Sequence, residues 1–228
     1  MIRLHAFDNM RAQQDALVQA VSDALQSSLT TRTDAAHVTF AVSGGTSPCL
    51  FFQALSRRAL DWAHVNVTLV DDRWVPLIHP DSNARLVQNT LLQNAAREAT
   101  FQPLVNVDQA PNAYVVGLNE NTSRTLPDVA VLGMGEDGHI ASIFSDAPQW
   151  DLATLTSERY ILVQPRKAPH LRISLSLSAL KQISRLFLLI SGQPKLDVLR
   201  AAIQYPQHNA ISKLANDIGV NVDAYWCA

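Results

Sequence analysis

A histidine at the end of a glycine-rich turn is the clearest candidate for chemistry in this sequence. Residues 128–145 read DVAVLGMGEDGHIASIFS, and their first apolar run predicts a strand buried on both faces. Gly133, Gly135 and Gly138 then allow tight turning and close approach of the backbone to a ligand. Residues that follow the carboxyl end of a strand lie where open α/β sheets bind ligands. We therefore predict that His139 acts as a general base on water or on a substrate proton. The alternative is a solvated histidine on a surface loop.

A second glycine turn follows the predicted strand at 38–42 and is suited to an anion. Ser43, Gly44, Gly45 and Thr46 can present several backbone N–H groups and two hydroxyls at the start of a helix, which stabilises a bound phosphate. The GxxxxGK[ST] spacing of nucleotide triphosphate loops is missing, so the expected ligand is a single phosphate or carboxylate. A simple tight turn is the alternative interpretation.

Four basic residues could supply charge-assisted hydrogen bonds to such an anion. Arg73, Arg172 and Lys195 are predicted near strand ends at the same edge of the sheet. Lys167 lies just before a strand. Single surface cations are usually solvated, so only their proximity in the fold makes them ligands.

Two adjacent aspartates, Asp71 and Asp72, end another predicted strand. Neighbouring residues at a strand end point to opposite sides, so we expect one of them to face the site. We assign that position to Asp71, as an orienting or electrostatic group. The alternative is that both aspartates cap turns.

Several common types of site are disfavoured by the sequence. Residues 133–138 match GxGxxG, but the next predicted strand ends without an acidic residue for a ribose hydroxyl, which argues against a dinucleotide. No GxSxG nucleophile motif is present. Cys49 and Cys227 have neither CxxC nor Cys/His spacing, so neither a disulfide framework nor a zinc site is suggested. These patterns therefore indicate neither a metal site nor a dinucleotide site.

The elements that position these residues alternate between strands and helices. Helices are predicted at about 9–29, 48–55, 83–92, 112–123 and 194–203, and strands at 38–42, 65–70, 129–132, 160–163, 173–177 and 186–190. This alternation predicts an α/β fold in three layers, with a mostly parallel sheet between helices on both faces. The polar residues lie in four loops that each follow a predicted strand, at 43–46, 71–73, 133–139 and 191–195. In a parallel sheet these four loops meet at one edge.

Length, composition and charge narrow the class of protein. The 228 residues fit one domain, 1–228, and a content of 47% hydrophobic and 17% charged residues fits a compact soluble enzyme or binding domain. A net charge of −2 gives no reason to expect nucleic acid or a membrane as partner, so an anionic ligand needs a local cluster of cations. Without a signal-peptide core or a membrane span, the expected location is the cytoplasm, as a monomer or weak homodimer.

Six segments together resemble the 6-phosphogluconolactonase family, within the larger group that includes glucosamine-6-phosphate deaminase and ribose-5-phosphate isomerase. They are SGGTSP at 43–48, VDDRWVP at 70–76, HPDSNARLV at 79–87, LGMGEDGHIASIF at 132–144, RISLSLSAL at 172–180 and SGQPK at 191–195. The resemblance implies the fold of that group and hydrolysis of 6-phospho-D-glucono-1,5-lactone, the second step of the oxidative pentose phosphate pathway, without a cofactor.

The resemblance also implies roles for individual residues. His139 matches the family's proposed general base, and the phosphate or sugar is expected to contact the loop from Ser43 to Thr46, Arg73, Lys167, Arg172 and Lys195.

Two other functions remain open at this point. A phosphosugar deaminase or isomerase would use an aspartate such as Asp71 to take a proton from C2 and His139 to open the ring. Deaminases of the group resemble GHIAFNEP after the histidine, whereas this chain reads GHIASIFSDAP and lacks that glutamate. A non-catalytic sugar-phosphate sensor would need the anion loop but no base.

Overall fold

The computed structural model describes residues 1–32 and 37–228 and consists of two sheets with surrounding helices. The strands are β1 (Ile2–Phe7), β2 (Val38–Val42), β3 (Val65–Leu69), β4 (Asp71–Arg73), β5 (Thr100–Phe101), β6 (Val129–Gly133), β7 (Tyr160–Val163), β8 (Arg172–Leu175), β9 (Arg185–Ser191) and β10 (Val222–Cys227). The α-helices are α1 (Met10–Thr31), α2 (Cys49–Leu55), α3 (Asn83–Thr90), α4 (Pro111–Glu120), α5 (Trp150–Leu155), α6 (Leu177–Lys181), α7 (Gln193–Gln204) and α8 (Ala210–Ala215). Short 3₁₀ helices cover Trp62–His64 and Asn94–Glu98.

The central sheet has seven parallel strands in the order β1-β10-β9-β6-β2-β3-β5. Every residue of β2 is buried, and so are the five residues at 186–190 in β9. Because successive side chains of a strand point to opposite faces, both faces of the sheet centre must be covered. α1 packs along β1, β2, β6, β9 and β10, and α7 packs on β9. The predicted α/β architecture with a mostly parallel sheet is therefore confirmed.

Two of the predicted strands belong to a second sheet. β7 and β8 pair antiparallel with each other, and β8 pairs antiparallel with β4. A short apolar run shows that a strand forms but not which sheet it joins, so the sequence did not separate them. The strand predicted at 173–177 ends at Leu175, because the Ser176 hydroxyl accepts the N–H of Ala179 at 3.1 Å and begins α6.

The terminal strands were not predicted from the sequence. β10 lies between β1 and β9, so the end of the chain pairs with its beginning. β1 is an edge strand whose residues do not alternate regularly between buried and exposed. Its sequence therefore lacks the alternation of apolar and polar residues that predicts a strand. The pairing joins segments that are more than 200 residues apart in sequence.

Side-chain caps begin helices α1 and α3. The Asn9 side chain accepts the N–H of Ala12 at 2.9 Å at the start of α1, and the Ser82 hydroxyl accepts the N–H of Arg85 at 3.2 Å at the start of α3. Among the described residues, no helix combines the length and the apolar character that crossing a bilayer requires.

Candidate active site

A cavity of about 280 Å³ opens at the carboxyl edge of the central sheet. Its walls come from the loops after β2 and β6, from the start of α7, and from β4 and β8 of the second sheet. The polar strand-end loops therefore meet at one edge, as a parallel sheet requires. The residues predicted from the sequence that line this cavity are Ser43, Gly44, Gly45, Thr46, Asp71, Arg73, His139, Arg172 and Lys195.

Lys167 lies outside this cavity, unlike the other predicted site residues. It is exposed in the loop between β7 and β8, and it lines a neighbouring cavity of about 380 Å³ together with Asp146 and Phe144. His139 lines both cavities. The position of Lys167 follows from its place in the second sheet, because the loops of that sheet do not end at the edge of the central one.

The imidazole of His139 is held by two contacts. Its Nδ1 lies 2.5 Å from Oδ1 of Asp137, and its backbone N–H donates to the same oxygen at 3.2 Å. Its ring stacks on Phe144 with 4.0 Å between centroids. The ring is thus fixed in position while 28% of the side chain remains accessible.

Asp137 also determines which nitrogen of His139 carries the proton. Partial burial raises the pKa of Asp137, but the hydrogen bond and charge of His139 outweigh it and leave that pKa below its ordinary value. An ionised carboxylate only accepts hydrogen bonds, so Nδ1 carries the hydrogen and Nε2 of a neutral ring keeps its lone pair. His139 is therefore arranged to accept a proton at Nε2.

The close approach of this ring requires a glycine in the turn before it. A Cβ at Gly135 would lie 2.2 Å from Cε1 of His139. The same requirement holds across the cavity, where a Cβ at Gly44 would lie 1.8 Å from Oδ1 of Asn83. Both glycines therefore make room for site side chains.

The loop after β2 offers donors for an anion. Among the described residues, the N–H groups of Gly44, Gly45 and Thr46 donate to no protein acceptor. The Ser43 hydroxyl accepts the N–H of Gly133 at 3.0 Å, and its own N–H donates to Val131 at 3.0 Å. Ser43 thus joins the ends of β2 and β6, while the next three N–H groups remain to bind a ligand.

Two arginines face each other at the second sheet. Arg73 of β4 and Arg172 of β8 are direct partners in the antiparallel register, and both line the cavity. Within the described structure, the Nε of each is buried without a hydrogen-bond partner. Burial lowers the pKa of Arg172, whose residue is only 7% exposed. Two adjacent positive charges with buried N–H groups that lack acceptors destabilise the folded protein. A bound anion would offset this destabilisation.

The remaining charges of the cavity are Lys195 and Asp71. Lys195, in the first turn of α7, makes no ion pair with the described residues. Asp71 is buried and accepts a hydrogen bond from the Ser142 hydroxyl at 2.5 Å. Three basic side chains thus line the cavity with one carboxylate, which provides the local cationic cluster that a chain of net charge −2 needs.

Asp72 points away from the cavity, and its carboxylate caps α3. It accepts the N–H groups of Asn83 at 2.7 Å, Arg73 at 2.8 Å and Ala84 at 3.1 Å. Burial raises the pKa of Asp72 to about 6 against these hydrogen bonds. The structure thus separates the adjacent pair into one side chain at the cavity and one at a helix start.

Three residues of the site were not singled out in the sequence. Asp137 lies only two positions before His139, so the sequence could have indicated that these two residues form a hydrogen-bonded pair. Asn83 donates from Nδ2 to the carbonyl of Asp71 at 2.9 Å and lines the cavity. Phe144 stacks on His139, and its ring centroid lies 5.2 Å from the guanidinium carbon of Arg172, so one ring contacts both the imidazole and a cation. The last two contacts need the tertiary structure.

Known proteins resemble this chain over nearly its whole length. The family profile described as glucosamine-6-phosphate isomerases/6-phosphogluconolactonase matches residues 12–216. A 6-phosphogluconolactonase of Neisseria meningitidis is 40% identical, over 97% of this chain and 97% of its own. A 6-phosphogluconolactonase of Pseudomonas putida is 34% identical, over 99% of this chain and 93% of its own.

Solved structures show the same architecture. The crystal structure of a 6-phosphogluconolactonase from Shewanella baltica has a TM-score of 0.92 and 33% identity, covering 100% of this chain and 98% of that one. The structure of 6-phosphogluconolactonase from Thermotoga maritima has a TM-score of 0.80 at 20% identity, with 100% of both chains covered. At that identity the second likeness concerns the fold alone.

Proposed function

Because the chain belongs to the glucosamine-6-phosphate isomerase/6-phosphogluconolactonase family, we propose that it hydrolyses 6-phospho-D-glucono-1,5-lactone to 6-phospho-D-gluconate. The reaction is the second step of the oxidative pentose phosphate pathway. We place it in the cytoplasm, since the free thiols of Cys49 and Cys227 suit a reducing compartment.

The observation that carries this proposal is the division of one cavity into two chemical regions. His139, with its partner Asp137, supplies a general base. Arg73, Arg172 and Lys195 supply positive charge and do not act as proton acceptors. A phosphorylated lactone needs both: a cationic region for the phosphate and a base beside the carbonyl carbon.

Binding at the phosphate positions the reacting carbon. The guanidinium groups of Arg73 and Arg172, the ammonium of Lys195 and the loop N–H groups after Ser43 bind the phosphate oxygens. We keep Lys167 as a candidate contact for a sugar hydroxyl in the neighbouring cavity, on the other side of His139. Remote phosphate binding thereby reduces the entropic part of the barrier.

The chemical steps centre on Nε2 of His139. This nitrogen takes a proton from water as the water oxygen bonds to C1, and the carbonyl electron pair moves onto its oxygen. Hydrogen-bond donors near the carbonyl oxygen stabilise this oxyanion. When the C=O bond re-forms, the bond from C1 to the ring oxygen breaks, and the imidazolium returns the proton to that oxygen. Asp137 stabilises the imidazolium between these two transfers.

We propose an electrostatic and positioning role for Asp71. Its side chain is tied to Ser142 and its backbone carbonyl to Asn83, so it holds two walls of the cavity together. Its negative charge lies among three cations and opposes their mutual repulsion.

The test is a lactonase assay on freshly generated lactone, with acid release followed by a pH indicator and corrected for spontaneous hydrolysis. We expect the protein to exceed the buffer rate and His139→Ala to lose roughly 100-fold or more of kcat, the usual contribution of a general base. Glucosamine-6-phosphate is the control substrate. A rate equal to that of the buffer, or ammonia release from the control, contradicts the proposal.

A further inference from the structure

A second group of reactive side chains lies beside the phosphate region but outside the cavity. His79 and Asp81 come from the loop between β4 and α3, and His170 comes from the turn before β8. One potential ligand atom from each of the three lies within 4.8 Å of the others. None of them lines the cavity described above. The proposed hydrolysis does not use them.

The distances within the group suit a small divalent ion. Oδ2 of Asp81 lies 2.8 Å from Nε2 of His170 and 4.0 Å from Nδ1 of His79. Ligand atoms of a tetrahedral zinc are about 3.4 Å apart, since each bond is about 2.0–2.2 Å long. The observed separations differ from that value by about 0.6 Å in either direction, which small side-chain rotations can absorb.

The group is also held in position before any ion binds. The rings of His79 and His170 meet edge to face with 5.3 Å between centroids. His170 has a φ of +69°, in the left-handed region that residues other than glycine seldom adopt. His170 does not line the cavity of the proposed hydrolysis, so that reaction gives no reason for this backbone conformation.

We propose that His79, Asp81 and His170 bind a divalent transition-metal ion of the Zn²⁺ class. Two imidazoles and one carboxylate form a donor set that such ions prefer over Mg²⁺ or Ca²⁺. The ion replaces the proton shared by His170 and Asp81, and it replaces the hydrogen bond that Nδ1 of His79 accepts from the N–H of Asp81 at 3.1 Å. The exposure of Asp81 leaves a fourth position for water.

The ion acts as a clamp between two loops of the second sheet. Nη1 of Arg73 donates to the backbone carbonyl of Asp81 at 2.7 Å, and Arg172 follows His170 by two residues. Binding therefore fixes the segments from which both cavity arginines extend. The proposed chemical steps at His139 do not involve the ion.

The experiment measures Zn²⁺ binding to the full chain, first freed of metal with a chelator and then titrated against a chromophoric competitor. We expect one equivalent to bind in the wild type. His170→Asn is the main variant, because asparagine tolerates positive φ. It should weaken binding at least about 10-fold, since losing a direct ligand costs more than losing an outer partner. If this variant fails to fold, Asp81→Asn replaces it with the same expectation.

A matched control is present in the same chain. His64 lies 2.8 Å from Asp61, the same histidine–carboxylate contact. The His37 ring is 5.6 Å from that of His64, but among the described residues these side chains do not form a group with three ligand atoms within 4.8 Å of one another. His64→Asn should leave Zn²⁺ affinity unchanged. His139→Ala should also leave it unchanged.

The proposal is overturned if the wild type binds no zinc, if His170→Asn binds as tightly as the wild type, or if the affinity is lost in His139→Ala instead. The last result would place the ion at the Asp137 dyad. Because this experiment measures metal binding, a failure of the zinc proposal would not change the result of the lactonase assay.

Discussion

Asp137→Asn tests whether the carboxylate beside His139 positions and stabilises the base. The change keeps the size of the side chain but removes its charge, and it can present an NH₂ group to Nδ1 in place of an oxygen. Nδ1 would then serve as an acceptor, which moves the hydrogen of the neutral ring to Nε2. That tautomer has no lone pair for water at the position where we expect the substrate.

The size of the effect follows from the contact itself. The hydrogen bond spans 2.5 Å and joins an ionised carboxylate to the imidazole. Hydrogen bonds to charged groups contribute about 1.5–3 kcal/mol, which corresponds to roughly 10- to 150-fold in rate. The Asp137 side chain is 54% exposed, so solvent screens the bond and we expect the lower part of that range, about 10- to 30-fold in kcat.

The assay compares kcat and KM for the lactone across three proteins. Asp137 does not line the cavity that holds the cations, so KM should change little while kcat falls. Glu136→Gln is the matched control: it removes the same charge from the same turn, and Glu136 makes no hydrogen bond to His139. Our reasoning is refuted if Asp137→Asn keeps the wild-type kcat, or if Glu136→Gln loses as much.

Three further predictions concern the cavity and the fold. Lys195→Met should raise KM more than His139→Ala does, whereas His139→Ala should mainly lower kcat; steady-state kinetics showing the reverse would contradict this division of roles. Gly135→Ala should lower kcat at least about 10-fold with little change in melting temperature, because the added Cβ displaces the His139 ring and the Asp137 carboxylate that contacts it; full activity would argue against the close approach. Asp72 has its pKa raised to about 6 from 3.8, so the folded protein holds a proton that the unfolded chain releases between those values. Its contribution to stability therefore falls as pH rises through that window, by up to about 3 kcal/mol. Urea unfolding of the wild type and Asp72→Asn at several pH values should show this difference, and parallel pH profiles would disprove it.

The positions of His139, of the loop at 43–46 and of Asp71 could be predicted because they depend on short stretches of sequence. Apolar runs followed by glycine turns place His139 and the loop at 43–46 at strand ends, and a parallel sheet brings all such ends to one edge. The same logic separates Asp71 from Asp72, because adjacent side chains of a strand point to opposite sides. These inferences need only the periodicity of a strand and the topology of the fold class.

The remaining features depend on contacts between distant segments. The pairing of Arg73 with Arg172 arises from the register of a second sheet that no apolar pattern distinguishes from the first. The same sheet carries Lys167 to a neighbouring cavity and brings His170 against Asp81, 89 residues earlier in the chain.

The sequence by itself therefore determined the fold class and the place of His139 and of the loop at 43–46 at strand ends, since each is encoded within a few consecutive residues. Only the tertiary structure decided that Arg73 meets Arg172 and that His170 meets Asp81. Strand periodicity is a local property of the chain, whereas register and sheet membership depend on the packing of the whole chain.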